Sequence, residues 1–301
     1  MKIDQRYRGI VFMLLAALGF SVMGGAAKSL KTDFSAGQLV LFRNVIGLLV
    51  LAPGLLLKRP VQVGGKPWRL AFRGLMGTIA LYLLLYCILH IPLGTSMSYN
   101  LTSAIFIALF SYFIFGEYHG KKVVLAVILG FAGMLLIYKP NMHLHWYYHV
   151  AGLTSGIVSA VAYITLHRLA GYYENRVIVL SFLSFGIILP VISLAVHYGA
   201  GVPADGLFVI DWHWPTLIQW IPMMILGLAA LFGQYFVSKA YGADEAGIVS
   251  VFGYANIVYS VFIGMMLGDA FPDWMSSLGI ICIIGSGVII SLVKSRKKAV
   301  A

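Results

Sequence analysis

Charged residues are scarce in this sequence. Asp, Glu, Lys and Arg make up 10% of its 301 residues, whereas an average soluble domain has about 25%. Hydrophobic residues supply 60% of the chain, and the mean hydropathy is +0.92. The shortage of charge excludes an ordinary soluble domain and predicts an integral membrane protein.

Cysteines and catalytic constellations are also lacking. The two cysteines, Cys87 and Cys282, lie in apolar runs, so no disulfide framework is expected. There is no HExxH motif, and no apolar segment carries a Ser/His/Asp or paired-carboxylate set of the kind that a hydrolytic enzyme needs. The sequence therefore predicts that the protein is not an enzyme and that it needs no cofactor.

The basic excess does not indicate a nucleic-acid partner. Lys and Arg number 21 against 10 Asp and Glu, but a nucleic-acid-binding protein gathers its basic residues on one solvated face. Here they stand between apolar segments. We therefore expect the lipid bilayer and a small molecule as partners, with no nucleic acid, and a monomer is compatible with the sequence.

Three histidines, His143, His145 and His149, are close enough in sequence to suggest metal ligands. No acid or thiol accompanies them, and the aromatic run WYY between them is typical of a membrane-interface belt. We favour the belt and predict no metal site.

Ten segments are apolar enough to cross a membrane, which takes about 20 residues in a helix. We predict spans at residues 9–27, 35–56, 68–89, 93–115, 122–138, 150–169, 177–197, 217–237, 247–267 and 274–293.

The loop charges predict the orientation, because Lys and Arg accumulate in cytoplasmic loops. Most of the 21 basic residues, Arg73 among them, fall on one side of the predicted membrane. The exceptions are Lys28, Lys31 and Lys139 on the other side and Arg43 within the second span. Both termini lie on the side with most of the basic residues. We therefore expect a multi-pass protein of the cell (inner) membrane with both termini in the cytoplasm.

The chain repeats itself. A shift of 152 residues aligns the Gly-Glu pair at 116–117 with the Gly-Asp pair at 268–269, and a shift of 143 aligns Gly9 with Gly152. Five spans per copy is an odd number, so the second copy enters the membrane from the opposite side. We predict an all-α fold of two inverted five-helix repeats, residues 1–140 and 141–301, with the substrate site between them.

Three stretches carry a family resemblance: LVLFRNVIG in the second span, LTSAIFIALFSYFIFGE in the fourth, and GQYFVSKAYGADEAGIVSVFGYANIVYSVFIGMMLGD across the eighth and ninth. In this order they resemble the EamA-type members of the drug/metabolite transporter superfamily. The resemblance implies a ten-helix bundle around a central cavity, with substrates ranging over amino acids, nucleosides, nucleotide derivatives and drugs. Where the family usually has proline in the fourth and ninth spans, this chain has Ala104 and Ile257, so a break in those helices has no proline to cause it.

Arg43 is the first candidate site residue. It lies about eight residues, or roughly 12 Å, into the second span, where an arginine costs about 2.5–3.5 kcal/mol to insert. One interpretation is an anion contact, because a guanidinium group can donate two hydrogen bonds at once to a carboxylate or phosphate. The other is a structural clasp on helix carbonyls or neighbouring polar groups, and the sequence leaves both open.

Seven further residues combine aromatic walls with hydrogen-bonding groups inside the spans, as small-molecule sites do. Interhelical hydrogen bonds use the same residue types. These substrate-binding candidates are Tyr82, Asn100, Ser103, Tyr163, Gln234, Tyr254 and Asn256.

The acidic residues bear on the mechanism. Glu117 and Asp269 are interpreted as caps of the following helices, and no other Asp or Glu falls inside a span. Proton-coupled carriers keep a titratable group there, so facilitated diffusion or exchange is favoured over proton coupling. We expect an exporter or exchanger that moves a small polar metabolite, either an amino-acid-like or nucleoside-bearing zwitterion or an organic anion, by alternating access. The alternative is a lipid or drug flippase or efflux carrier.

Overall fold

The computed structural model describes residues 7–61, 63–91, 93–104, 106–107, 110, 120–138, 145–204, 209–266, 274–275, 277–279, 281–282, 285–286 and 289. Helices dominate, and these residues contain no strand. The helices are α1 (Arg8–Ser29), α2 (Ala36–Leu57), α3 (Pro67–His90), α4 (Leu93–Leu101), α5 (Gly120–Tyr138), α6 (Trp146–Leu169), α7 (Asn175–Ala200), α8 (Trp220–Ala243), α9 (Ala246–Phe252) and α10 (Ala255–Met266).

The protein is a multi-pass membrane protein. Seven helical segments of the described residues have the length and hydropathy of a membrane span: α1, α2, α3, α6, α7, α8 and the segment Val249–Met266 across α9 and α10. The described residues between 274 and 289 are helical as well. The ends of α1, α2, α3, α5, α6 and α7 lie within four residues of the predicted span ends, whereas α8 continues to Ala243, six residues past the predicted end.

Local chemistry accounts for several helix ends. The hydroxyl of Ser35 accepts a hydrogen bond from the backbone N–H of Gln38 at 3.3 Å, which caps the start of α2. Pro67 is the first residue of α3, a position where its missing N–H costs nothing. Gly201 ends α7 with a φ of 66°, the left-handed conformation that glycine adopts most easily.

The helices of the two halves of the chain pack on each other. The most extensive contact joins α1 to α8, followed by α3 to α6, while α2 lies on α7, α1 on α10 and α4 on α6. Small residues permit close approach: a Cβ added at Gly19 of α1 would lie 2.8 Å from the backbone nitrogen of Gly233 on α8. The core therefore lies between the halves.

Two helices are interrupted without proline. At Thr102 the backbone N–H and the hydroxyl both donate to the carbonyl of Tyr99, at 3.1 and 2.6 Å. Between α9 and α10, the N–H of Gly253 donates to Ser250 at 3.0 Å and that of Tyr254 to Val251 at 3.2 Å. These i to i−3 bonds tighten the turn and offset the helix axis. Helix breaks therefore occur in the two spans where the sequence offers no proline to cause them.

Candidate functional site

A central cavity of about 90 Å³ lies between the two halves of the chain. Residues of α1 to α4 line it from the first half, and residues of α6 to α10 line it from the second. One face of α3, with Arg73, Gly77, Ala80, Leu81 and Leu84, supplies one wall because residues three or four apart lie on the same side of a helix. The cavity therefore depends on both halves.

The structure brings six of the eight candidate residues to this cavity. They come from α2, α4 and the residues that follow it, α6, α8 and α10, and they are Arg43, Asn100, Ser103, Tyr163, Gln234 and Asn256.

The other two candidates, Tyr82 and Tyr254, are not on this lining. Tyr82 is turned by about 100° from Leu81 on the same helix, and its ring packs against Gly37 of α2. Tyr254, at the break before α10, is completely buried, with its ring against Gly130 of α5. Both tyrosines therefore pack against neighbouring helices.

Arg73 is a cavity residue that the sequence analysis counted with the cytoplasmic loop charges, although the predicted span 68–89 contains it. It is the seventh residue of α3, because the helix begins at Pro67, and it is only 1% exposed. The proline at the first helical position is the signal that could have identified it. Moving Arg73 out of the loops leaves the charge asymmetry of the remaining loop residues in place.

Arg43 and Arg73 meet at one aromatic ring. The guanidinium carbon of each lies 5.1 Å from the ring centroid of Phe182 on α7, within the range of a cation–π contact. The two guanidinium carbons are therefore no more than twice that distance apart. At an effective dielectric constant near 20, like charges at that separation repel by about 1.5 kcal/mol or more.

Neither arginine has a carboxylate partner among the described residues. Nε of Arg43, and both Nε and one terminal nitrogen of Arg73, are buried without a hydrogen-bond acceptor there. Within the described ranges, Arg43 makes one hydrogen bond, to the side-chain oxygen of Asn44 at 3.3 Å. The described carboxylates all lie outside the lining; they are Asp33, Glu174, Asp211, Asp244 and Glu245. The described part of the cavity thus has positive charge that no acidic side chain balances.

Three amide side chains on the cavity differ in their partners. Asn100 donates to the hydroxyls of Ser155 and Ser159 on α6, at 3.3 and 3.0 Å. Asn256 donates to the carbonyl of Ala17 on α1 at 3.0 Å. The side-chain nitrogen of Gln234 is buried with no partner among the described residues. Asn100 and Asn256 therefore tie helices together, while Gln234 has a donor that is still available.

Aromatic groups flank the cavity. Tyr163 stacks on Tyr241 of α8, with ring centroids 5.0 Å apart, and both line it. Phe42, the neighbour of Arg43 in sequence, stacks on Trp212 of the segment between α7 and α8 at 5.2 Å, and this pair is not on the lining. Sequence analysis missed Tyr241 and Phe182 because aromatic residues in a span are usually packing residues.

The histidines and cysteines form no metal site in the part of the chain that the structure describes. His145 stacks on Tyr147, and His149 hydrogen-bonds to Tyr99. His143 lies outside the described residues, as do Glu117 and Asp269, so their predicted roles stay predictions. Cys87 and Cys282 are free thiols.

Known proteins resemble this chain over nearly its whole length. The profile of the EamA-like transporter family matches residues 7–139. A protein described as an uncharacterized transporter of Helicobacter pylori is 32% identical over 291 residues, which cover 94% of this chain and 94% of that protein. The pseudopaline exporter CntI of Pseudomonas aeruginosa is 29% identical over 299 residues, which cover 98% of this chain and 99% of that protein.

A solved crystal structure has the same fold. It aligns with 97% of this chain and 96% of its own, with a TM-score of 0.71. The two sequences are 20% identical, so this likeness bears on the fold alone.

Proposed function

The chain belongs to the EamA-like transporter family and is a membrane transporter, and on that premise we propose that it carries a small anionic metabolite through the central cavity by alternating access. The observation behind this proposal is the pair of buried arginines on the lining. A buried charge without a partner is strongly destabilising, and a substrate carboxylate or phosphate would supply the missing partner through charge-assisted hydrogen bonds. The proposal favours an anion contact over a structural clasp for Arg43.

The size of the cavity supports a small substrate. Its volume of about 90 Å³ is well below the roughly 300–1,000 Å³ of pockets that hold drug-sized ligands. A nucleoside-bearing substrate would need the cavity to widen. An organic anion or amino-acid-like zwitterion of a few carbon atoms fits the described conformation better.

Helix pairing supports the inverted repeat that alternating access uses. In such a repeat, α1, α2, α3 and α4 correspond in that order to α6, α7, α8 and α9–α10. Exchanging each helix for its counterpart in the other half then turns the α1–α8 contact into the α6–α3 contact. The same exchange turns α1–α10 into α6–α4 and leaves α2–α7 unchanged, and all of these contacts are present. This reciprocity favours ten spans in two five-helix repeats, residues 1–140 and 141–301.

The lining and the relatives bear on coupling and direction. No histidine or carboxylate lines the described cavity, which favours facilitated diffusion or exchange over proton coupling. The Pseudomonas relative is named as an exporter, which favours export across the inner membrane for this chain as well.

The test is transport by purified protein reconstituted in liposomes. We would measure uptake of labelled carboxylates, phosphates, zwitterionic amino acids and organic cations, with and without the same unlabelled compound inside. We expect uptake and trans-stimulation with an anion-bearing compound, and loss of both in Arg43→Gln protein that is folded normally. Transport confined to cations or to lipid analogues, unaffected by Arg43→Gln, would contradict the proposal and favour a drug or lipid carrier.

A further inference from the structure

We infer that the cavity selects substrates with two negative charges, one for each of Arg43 and Arg73. This inference rests on the proposed function and adds a charge requirement to it. The two negative charges belong to two carboxylates or to one phosphate monoester, since both are dianionic near neutral pH.

The first step of the argument is that both arginines are parts of one site. They reach it from different helices, α2 and α3, and they share the Phe182 ring of a third helix, α7. Arg43 is 2% exposed and Arg73 is 1% exposed. Water therefore screens neither charge well, and an anion that enters the cavity is within reach of both.

The second step is that both side chains still have donors to offer. Each arginine has at least one buried nitrogen without an acceptor among the described residues. On Arg43 it is Nε, and on Arg73 they are Nε and one terminal nitrogen. A substrate with one negative charge would pair with one guanidinium and leave the other uncompensated. A dianion leaves neither uncompensated, so it gains more from binding than a matched monoanion.

The third step concerns the distance between the two charges. Because each guanidinium carbon is 5.1 Å from the centroid of the same ring, the two carbons are separated by at most twice that distance. The cavity volume is about 90 Å³. Two carboxylates joined by a short chain of about one to three methylene groups suit these limits. A longer chain would have to fold back or enlarge the cavity.

The test uses the purified full-length protein and two matched series of probes. Malonate, succinate and glutarate form the dianion series, acetate, propionate and butyrate form the monoanion series, and methyl phosphate represents the phosphate source. Apparent affinities come from the concentration dependence of the melting temperature, because ligands that bind the folded state raise it. Zwitterionic glycine and the cation butylammonium complete the panel.

We expect the best dicarboxylate to bind at least about ten-fold more tightly than the best monocarboxylate, since loss of one charge-assisted contact weakens binding roughly ten- to a hundred-fold. Arg43→Gln and Arg73→Gln should each abolish this preference, because each leaves only one guanidinium to pair with the dianion. Arg69→Gln is the matched control, because Arg69 is exposed one turn earlier on α3, and it should retain the preference. Tighter binding of methyl phosphate than of every dicarboxylate would identify phosphate as the source of the two charges.

The comparison of probe series needs only the unmutated protein, so it stays decisive even if a variant fails to fold. Equal affinity for matched mono- and dicarboxylates would overturn the two-charge inference and leave an anion carrier in place. Binding of butylammonium without any anion would overturn both proposals, whereas binding of glycine without any dianion would overturn the two-charge inference alone. Failure of every dianion to shift the melting temperature at millimolar concentration would also overturn the inference.

Discussion

At the scale of single residues, the cavity amides serve two different purposes. Asn256 has its nitrogen bonded to Ala17 and its oxygen 3.5 Å from the hydroxyl of Ser260, so the protein occupies both ends of the amide. Gln234 is equally buried, yet its nitrogen has no described partner. A buried donor without a partner costs about 1–3 kcal/mol, which a substrate acceptor would offset.

This contrast predicts opposite effects of one substitution. Asn256→Leu should lower the thermal stability, by about 0.5–1.5 kcal/mol of unfolding free energy, because it removes the hydrogen bond from α10 to the carbonyl of Ala17, which keeps the hydroxyl of Ser21 as a donor. Gln234→Leu should leave stability within about 0.5 kcal/mol and weaken substrate affinity. Thermal unfolding and the KM of transport, measured on both variants, check the pattern. A destabilised Gln234→Leu with unchanged KM would show that the glutamine is structural.

Gly77 allows another prediction at this scale. A Cβ added there would lie 2.5 Å from a terminal nitrogen of Arg73 and 2.8 Å from the Phe182 ring. Because the arginine end is flexible, Gly77→Ala should displace the guanidinium from the ring without removing its charge. We expect a several-fold higher KM for anions, and a lower melting temperature because the buried ring of Phe182 must shift as well.

The matched control for Gly77→Ala is Gly54→Ala on α2, where an added Cβ meets nothing within 4 Å. It should leave the KM unchanged. If Gly77→Ala also leaves the KM unchanged, the contact of Arg73 with Phe182 is not needed for substrate binding.

At the scale of elements, an ionic clasp joins the end of α2 and the segment after it to the start of α7. Glu174 accepts hydrogen bonds from Nε of Arg176 at 2.5 Å and from the backbone of Val61 at 3.2 Å. Arg176 also donates to the carbonyl of Gly54 at 2.7 Å. The hydrogen bond from Arg176 holds the pKa of the Glu174 carboxyl below its usual value. The clasp therefore connects the two halves of the chain.

The lowered pKa predicts the pH dependence of this clasp. A carboxyl whose folded-state pKa is depressed contributes stability above its unfolded pKa, about 4.3 for glutamate, and loses that contribution as the pH falls through the folded-state pKa. Wild type should therefore be slightly more stable than Glu174→Gln at pH 7, and the difference should decrease as the pH falls below about 4.3. Melting temperatures of both proteins from pH 7 to pH 3.5 test this.

High salt provides the control for the clasp, because an exposed ion pair is screened. The difference at pH 7 should shrink in 1 M NaCl. A difference between the two proteins that does not change with pH would assign the effect of Glu174→Gln to packing.

The helix breaks are also properties of elements. Thr102 and Tyr254 are 152 residues apart, the same shift that aligns the two Gly-acid pairs. Each break lies beside cavity residues, Ser103 after the first and Asn256 after the second. In these two spans, the hydroxyl-to-carbonyl hydrogen bond and the tightened turns interrupt the helix, a role that proline often has in other proteins.

At the scale of the whole molecule, the loop charges predict that both termini lie in the cytoplasm. In a Cys87→Ala, Cys282→Ala background, a cysteine at Lys298 should react with an impermeant thiol reagent only after the membrane is permeabilised. A cysteine at Lys31, which is exposed between α1 and α2, should react in intact cells. Labelling of Lys298→Cys in intact cells would show that the orientation is wrong.

The sequence by itself determined that the chain spans a membrane, approximately where its helices lie, and that it belongs with EamA-type transporters. These properties follow from local quantities: the transfer free energy of a 20-residue stretch and the order of short motifs. Part of the list of candidate site residues could be predicted from the sequence as well, because a polar residue within a span has a free-energy cost that does not depend on how the span packs.

Only the tertiary structure decided which side of each helix faces the cavity. A rotation of about 100° separates Leu81, on the lining, from Tyr82, against α2, and it leaves the hydropathy of α3 unchanged. The meeting of Arg43, Arg73 and Phe182 likewise joins residues of three helices. Helix rotation depends on packing against neighbours distant in sequence, so the paired arginines could be identified only once the bundle was assembled.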